Sequence, residues 1–228
     1  MLNKNNLVCI VQARLTSGRY PNKILKKILG YSLIDIINAR LKKSKSINKI
    51  IFAIPNNRKN VKLKNILKRK KINYITGSEK NVFQRFYKII KKTKPKYVVR
   101  ITSDCPLVEP YIIDKMYKIL RKSNIDYIST DLTSYPDGFD VEVFKSKCIL
   151  NSVNFNLNKY QLEHVTPFLR QNNMFKKKKF GSKYKNLNKI KLSIDTETDF
   201  KRVKKIFDYF QNIFIKEDHV FKYISANK

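Results

Sequence analysis

The stretch LVCIVQARLTSGRYPNK, residues 7–23, decides how the rest of the chain is read. Leu7, Val8, Cys9, Ile10 and Val11 form a near-continuous apolar run, the pattern of a strand buried on both faces of a parallel sheet. The run breaks into a polar segment with Arg14, Ser17, Gly18, Arg19 and Lys23, punctuated by Pro21. Such a segment suits a polyphosphate. Guanidinium forks and an ammonium neutralise phosphate oxygens, and small residues let backbone N–H groups approach. A basic surface loop would have the same composition, so the reading depends on what else reaches the same edge.

Working outward, short apolar runs alternate with amphipathic segments. Strands are expected at Leu7–Ala13, Lys49–Pro55, Ile72–Thr76, Tyr97–Thr102, Asp126–Thr130, Asp140–Phe144 and Lys189–Ile194. Helices are expected at Leu33–Lys43, Val61–Lys70, Val82–Lys92, Tyr111–Arg121 and Phe200–Phe210, the first opened by a Ser32/Asp35 capping pair. This βαβα rhythm over the first 130 residues predicts an α/β protein with a mainly parallel, Rossmann-like sheet covered on both faces. Ligands of such sheets sit beyond the carboxyl ends of the strands. That rule brings the Arg14–Lys23 loop, the segment after Ile101 and Gly77–Glu79 to one edge. After residue 130 the rhythm changes: a Pro-Asp-Gly turn leads into an alternating strand, and Phe175–Ile194 reads as two strands around a polar turn. No repeat or linker divides the chain, so residues 1–228 read as one domain with an extension at about 132–190.

Composition narrows the class. A chain of 228 residues with 42% hydrophobic residues can bury an ordinary core. No apolar run approaches the ~20 residues of a membrane span, and MLNKNN leading directly into the first strand predicts no signal peptide. Cys9, Cys105 and Cys148 lack metal or disulfide spacing, so reduced thiols and a cytoplasmic location are expected. The net charge of +33 raises nucleic-acid binding. Only ten of the 50 basic residues are arginine, however, and the lysines are spread along the chain with abundant Asn and Ile. That pattern fits compositional drift better than a dedicated binding face. The cluster FKKKKF (Phe175–Phe180) reads as an exposed strand with solvated lysines, and no specific nucleic-acid partner is expected.

Two further constellations carry chemistry. In VVRITSDCPLVEP (Val98–Pro110) an apolar strand delivers Asp104 to its end, where a carboxylate can bind Mg²⁺ together with substrate phosphates. Capping of the helix near Pro110 is the alternative role for Asp104. In KLSIDTETDF (Lys191–Phe200) a second strand ends at Asp195, and Asp199 reads as a helix N-cap that leaves Asp195 free for a ligand. Neither the GxxxxGK[ST] phosphate loop nor GxGxxG is present.

QARLTSGRYPNK, GSEKNVFQRF, VVRITSDCPLVEP, YPDGFDVEVF, EHVTPF and IDTETDF occur in the order and spacing of the cytidylyltransferase family. Over roughly residues 6–210 the chain resembles that family, most of all its spore-coat polysaccharide (SpsF-type) branch. The resemblance implies a three-layer nucleotidyltransferase fold, a homodimer formed through the second half, and Mg²⁺-dependent transfer of CMP from CTP to a sugar acid. It implies that Arg14, Ser17, Arg19 and Lys23 hold the triphosphate and that Asp104 and Asp195 bind the metal. Ser78, Asn81 and Arg100 fall where the family surrounds base and ribose, and Asp137, Asp140, Glu142 and His164 fall on the sugar side. His164 is the best side-chain candidate for a general base, with a helix-start histidine as its alternative. The three acids suit hydroxyls or an ammonium, unless they are simply the exposed acids of a turn and strand. Thr16 and Ser103 stand where the family usually has glycine, so the first loop is expected to be shaped differently if it needs positive φ. A nucleotide-sugar-dependent glycosyltransferase and a non-enzymatic polyanion-binding protein are the rival readings.

Overall fold

The computed structural model describes residues 6–184 and 187–227. Residues 1–5, on which the expectation of no signal peptide rests, and residues 185 and 186 of the polar turn lie outside the described residues. The N-terminal half runs β1 (Leu7–Gln12), a small hairpin of β2 (Lys27–Ile28) and β3 (Tyr31–Ser32), α1 (Leu33–Leu41), β4 (Lys49–Pro55), α2 (Val61–Arg69), β5 (Tyr74–Gly77), α3 (Val82–Thr93) and β6 (Tyr97–Thr102). The second half adds α4 (Pro110–Lys122), β7 (Tyr127–Thr130), β8 (Glu142–Lys145), α5 (Ser146–Ser152), α6 (Lys159–His164), α7 (Pro167–Gln171), β9 (Lys177–Phe180), α8 (Glu197–Phe210) and α9 (Glu217–Ala226).

A seven-stranded sheet is ordered β5-β4-β1-β6-β8-β7-β9. All neighbours pair in parallel except at β8, which runs antiparallel to both β6 and β7. Alternate residues of each central strand feed two separate cores. Leu7, Cys9 and Val11 join one with α1, α2, α4 and α8, while Val8 and Ile10 join the other with α3 and α5. This accounts for the continuous apolar run of β1: both of its faces are covered. Each such fully buried side chain contributes roughly 1.5–3 kcal/mol. The chain leaves β1 toward β4 on one side, whereas β6 pairs on the other, so the sheet switches direction between β1 and β6. The crevice above that point is the expected ligand position.

Several expectations hold to the residue. The strands Lys49–Pro55 and Tyr97–Thr102 are as read, and Ser32 and Asp35 form the capping box of α1. The basic FKKKKF segment supplies β9, an edge strand that pairs, among the described residues, with β7 alone, with Lys177, Lys178 and Lys179 exposed. Lys189–Ile194 differs. It is an extended segment with a single bridge to Asp137, held by Leu192 N–H to Asp137 O (2.6 Å) and Ile194 N–H to Asp104 O (2.9 Å). Of its period-2 apolar residues Leu192 and Ile194 are buried and Ile190 is half-buried, but no strand among the described residues runs alongside to form a ladder. Gly138 makes this crossing possible. It has φ +107°, and a Cβ there would lie 2.5 Å from the Leu192 carbonyl carbon.

Candidate functional site

The loop after β1 is folded on itself before any ligand is considered. Ser17 and Asn22 both donate backbone N–H to the Leu15 carbonyl (2.9 and 3.1 Å), and Leu15 N–H is taken by the buried Asn60 side chain (2.8 Å). Asn22 adopts the left-handed region at φ 57°, which asparagine tolerates, and so turns Lys23 inward. Neither Thr16, Gly18 nor Ser103 has positive φ. The glycine replacements therefore impose no backbone strain. Thr16 instead donates its hydroxyl to Glu79 (2.5 Å).

Lys23 is buried, and its ammonium is shared among Asp104 Oδ2 (3.0 Å), Asp195 Oδ1 (3.1 Å) and the Ile194 carbonyl (2.6 Å). A buried ammonium is costly unless paired, and here two carboxylates and a carbonyl meet that need. Arg19 reaches the other oxygen of Asp195 at 3.0 Å, and Lys191 pairs with Asp195 at 3.0 Å. Burial pushes the Asp195 carboxyl up, but hydrogen bonds from Lys191 and Lys23 outweigh it and hold the group below the usual carboxylate range. The structure thus brings together Asp104, beyond the end of β6, Asp195, after the extended segment, and a lysine that stands 172 positions before the second of them.

Two capping assignments are corrected by the geometry. Glu109, not Asp104, caps α4 by accepting Tyr111 N–H. Thr196, not Asp199, is the N-cap of α8, with Asp199 as the third helical residue of a capping box. Asp199 also accepts N–H from Asp195 and Thr196 (both 3.0 Å), and so fixes the backbone that carries the Asp195 carboxylate.

The cleft over these groups encloses about 460 Å³ and is lined by Gln12, Arg14, Ser17, Arg100 and His164 as well as the lysine–aspartate cluster. A second lobe of about 270 Å³ shares Arg100, Asp104 and Asp195 with it and adds Asp137, Asp140, Glu142 and Arg170. Arg100 stands between the lobes. It donates to Glu142 (2.6 Å) and to Gln12 (3.3 Å). The Glu142 carboxylate also accepts from Tyr127 and from Thr166 (2.8 Å), so its geometry is that of a support for Arg100. Asp137 accepts from Ser193 (2.7 Å). Asp140 accepts Gly138 N–H (2.8 Å), yet burial, with Asp137 and Glu142 nearby, pushes its carboxyl up to about 6.

His164 sits at the C-terminus of α6, not at a helix start, with its ring 4.5 Å from that of Tyr160. Burial disfavours its charged form. Glu163 opposes this, but Arg100, Arg170 and Arg14 add to it, and the imidazole lies below its ordinary pKa. The next residue, Val165, has φ 71° and ψ −54°, with Thr166 N–H bonded to His164 O (2.9 Å). This is a strained γ-turn at a β-branched residue. It separates cleft-lining His164 from buried Thr166.

Ser78 and Asn81 do not line either lobe. Ser78 accepts Asn81 N–H (3.0 Å) and Asn81 caps α3 through Gln84 N–H (2.7 Å). Two charged lining residues escape the sequence reading: Glu163, in the cleft 3.7 Å from Arg14, and Arg170 of the second lobe. The first adjoins His164 in EHVTPF, a signal that could have found it; the second carries no local signal.

Residues 8–224 match the family model described as Cytidylyltransferase. An uncharacterized protein of Methanocaldococcus jannaschii (MJ1063) is 34% identical over 97% of this chain and 91% of its own length. The spore coat polysaccharide biosynthesis protein SpsF of Bacillus subtilis is 27% identical over 89% of this chain and 87% of its own. Among solved structures, a cytidylyltransferase from Leptospira borgpetersenii superposes with a TM-score of 0.91 at 24% identity, covering 98% of this chain and 95% of that one. A CMP:2-keto-3-deoxy-manno-octonic acid synthetase complexed with CTP superposes at 0.69 and 12% identity, over 89% and 98% of the two chains. The family match takes in the first loop and the segments that bring Asp104 and Asp195 to Lys23, and on that span this chain belongs to the cytidylyltransferase family.

Proposed function

We propose that the protein transfers CMP from CTP to a sugar acid of the nonulosonic or octulosonic type, with release of pyrophosphate, for surface polysaccharide synthesis. The observation that carries this reading is the convergence of Lys23, Asp104 and Asp195 at the strand tips, beside a loop bearing Arg14 and Arg19. Sugar-acid transfer is the activity named for the CTP-bound structural neighbour, and polysaccharide biosynthesis is named for the Bacillus relative.

Arg14, Arg19 and Ser17 are placed to hold the triphosphate and to offset charge that builds on the departing pyrophosphate. Asp104 and Asp195 fit Mg²⁺, a cation satisfied by one or two carboxylates plus phosphate oxygens; their carboxylates already converge on one ammonium. Bound there, Mg²⁺ would polarise phosphate oxygens and lower the pKa of a coordinated hydroxyl. Lys23 keeps the two carboxylates together before the nucleotide arrives and can then turn its charge to a phosphate. Neutral His164 can take the proton of the attacking sugar hydroxyl. Asp137 and Asp140 can accept hydrogen bonds from other sugar hydroxyls.

The test is pyrophosphate release in the presence of CTP, Mg²⁺ and a panel of 2-keto sugar acids. Release with at least one acid, and with CTP far above the other nucleoside triphosphates, is expected. No release with any acceptor, together with equal binding of all four triphosphates, overturns the proposal. Affinity that tracks salt and ignores nucleotide identity would point instead to generic polyanion binding.

A further inference from the structure

Thr16, out of place by sequence, leads to a bridge between two sides of the crevice. Its hydroxyl donates to Glu79 Oε1 (2.5 Å), and the other oxygen of Glu79 accepts from Asn57 Nδ2 (2.6 Å). Asn57 Oδ1 accepts from Asn60 Nδ2 (2.8 Å), and buried Asn60 returns to the first loop through Leu15 N–H (2.8 Å). The circuit therefore closes on two consecutive residues of the loop that carries Arg14, Ser17 and Arg19. Its members come from the ends of β1, β4 and β5. In a chain with 50 lysines and arginines, no ion pair reaches Glu79 among the described residues. Its carboxylate is committed to a hydroxyl and an amide.

Beneath it lies a second reason for that carboxylate. Arg85 is 1% exposed and its stem packs on Gly77, where a Cβ would lie 2.8 Å from Arg85 Cγ. Its guanidinium makes one hydrogen bond, to Ala53 O at 3.2 Å, and Nε meets no acceptor among the described residues. Arg14 repels this buried charge and Glu79 attracts it. Glu79 thus offsets part of the charge of buried Arg85, while Arg14 pairs with Glu163.

We infer that Glu79 is a positioning residue for the nucleotide: through Thr16 on one side and the Asn57–Asn60 pair on the other, it fixes the triphosphate-binding loop in its receptive shape. This rests on the CTP-dependent function proposed above. The nucleotide binds to a loop whose ordering has already been met by the bridge, which lowers the entropic cost of binding. The bridge acts through the loop and touches no reacting atom, so its loss weakens nucleotide binding more than turnover.

The experiment compares wild type with Thr16→Val, Glu79→Ala, Glu79→Gln and the Thr16→Val/Glu79→Ala double variant. CTP binding, KM and kcat for CTP, and Tm are measured for each. Thr16→Val is expected to raise KM for CTP roughly fivefold with kcat and Tm near wild type, the size of one lost hydrogen bond. Glu79→Ala is expected to raise it roughly tenfold. The double variant should be no worse than Glu79→Ala alone, and Glu79→Gln, which can still accept from Thr16 but loses the charge and the acceptor for Asn57, should fall between wild type and Glu79→Ala. Unchanged KM in Thr16→Val, or additive effects in the double variant, overturns the role of Glu79 while leaving the function intact. A fall in Tm without a change in KM would make the bridge merely structural, and also overturns it. Failure of the wild type to bind CTP overturns both.

Discussion

Of the three cations buried in the described residues, Lys23 and Arg40 have partners that differ most in kind. Lys23, at the strand tips, is held by two carboxylates and one carbonyl. Arg40, on α1, is held by four backbone carbonyls: Val108 (2.8 Å), Ile213 (2.8 Å), Ile215 (2.9 Å) and Leu107 (3.3 Å). Glu109 stands 3.6 Å away as its counter-ion. Burial lowers the Arg40 pKa to about 10, so the group stays charged at neutral pH. Its carbonyls belong to the β6–α4 and α8–α9 connections and cannot turn away without unfolding them. The carboxylates of Asp104 and Asp195 are side chains that can rotate to another cation. A cation bound by backbone is a fastener; a cation bound by carboxylates is a placeholder.

Lys23→Met is the strongest way to break that comparison. It removes a cation from the substrate side, and turnover with CTP should fall by about 10²–10³, the usual effect of deleting one preorganised charge donor. The fold should survive, because the carboxylates remain partly solvated and Arg19 and Lys191 still flank Asp195. Added Mg²⁺ should raise the Tm of the variant more than that of wild type, since the one ammonium that bridges Asp104 and Asp195 is then gone. Equal shifts in the two proteins would mean that Lys23 is a fastener after all.

Arg40→Met should show the opposite signature. Removing a fully buried, hydrogen-bonded cation strands its carbonyls and Glu109, at a cost of about 3–5 kcal/mol. For a chain of this size that corresponds to a Tm lower by roughly 10 °C. At a temperature where the variant is still folded, kcat and KM for CTP should stay near wild type. Thermal unfolding followed by circular dichroism, with kinetics at 15 °C, separates the two results.

The difference between fastener and placeholder is only half legible in the sequence. Lys23, Asp104 and Asp195 each follow a buried strand or strand-like run, so the open-sheet rule alone gathers them at one edge. The central strands are equally legible, because a short continuous apolar run between turn signals needs cover on both faces, and a parallel sheet supplies it. Arg40 has no such signal: it sits in an ordinary amphipathic helix, and its partners are carbonyls, which any residue supplies. The same holds for Glu79, whose partners lie 63 and 22 residues away and are brought together by the sheet. Local pattern also misplaces the caps at Asp104 and Asp199, because Glu109 and Thr196 compete for the same backbone N–H groups. Lys189–Ile194 reads as a strand because alternation reports burial, not pairing. The short helices α5, α6 and α7 are too brief for a periodic pattern to declare itself.

The smallest expected effect sharpens the fastener itself. Glu217, the first residue of α9, donates its N–H to the same Glu109 that pairs with Arg40 (3.1 Å), and its Oε2 is buried without a hydrogen-bond partner among the described residues. Burial, then the nearby Glu109 and Asp218, pushes the Glu217 carboxyl from 4.5 up to about 7. The position at a helix N-terminus favours a negative charge, but it does not offset these two effects. Between about pH 4.5 and 7 the folded chain therefore retains a proton that the unfolded chain has released, so stability falls as pH rises through this window and stays reduced above it. Glu217→Gln removes the charge and keeps the shape. It should raise Tm by roughly 2–4 °C at pH 8 and leave it unchanged at pH 4.5, where the wild-type carboxyl is already neutral. The same Tm gain at both pH values would show that packing, not charge, limits this corner. A loss at pH 8 would mean that the Glu217 carboxylate belongs to the Arg40 fastener, whose single counter-ion would then be a pair.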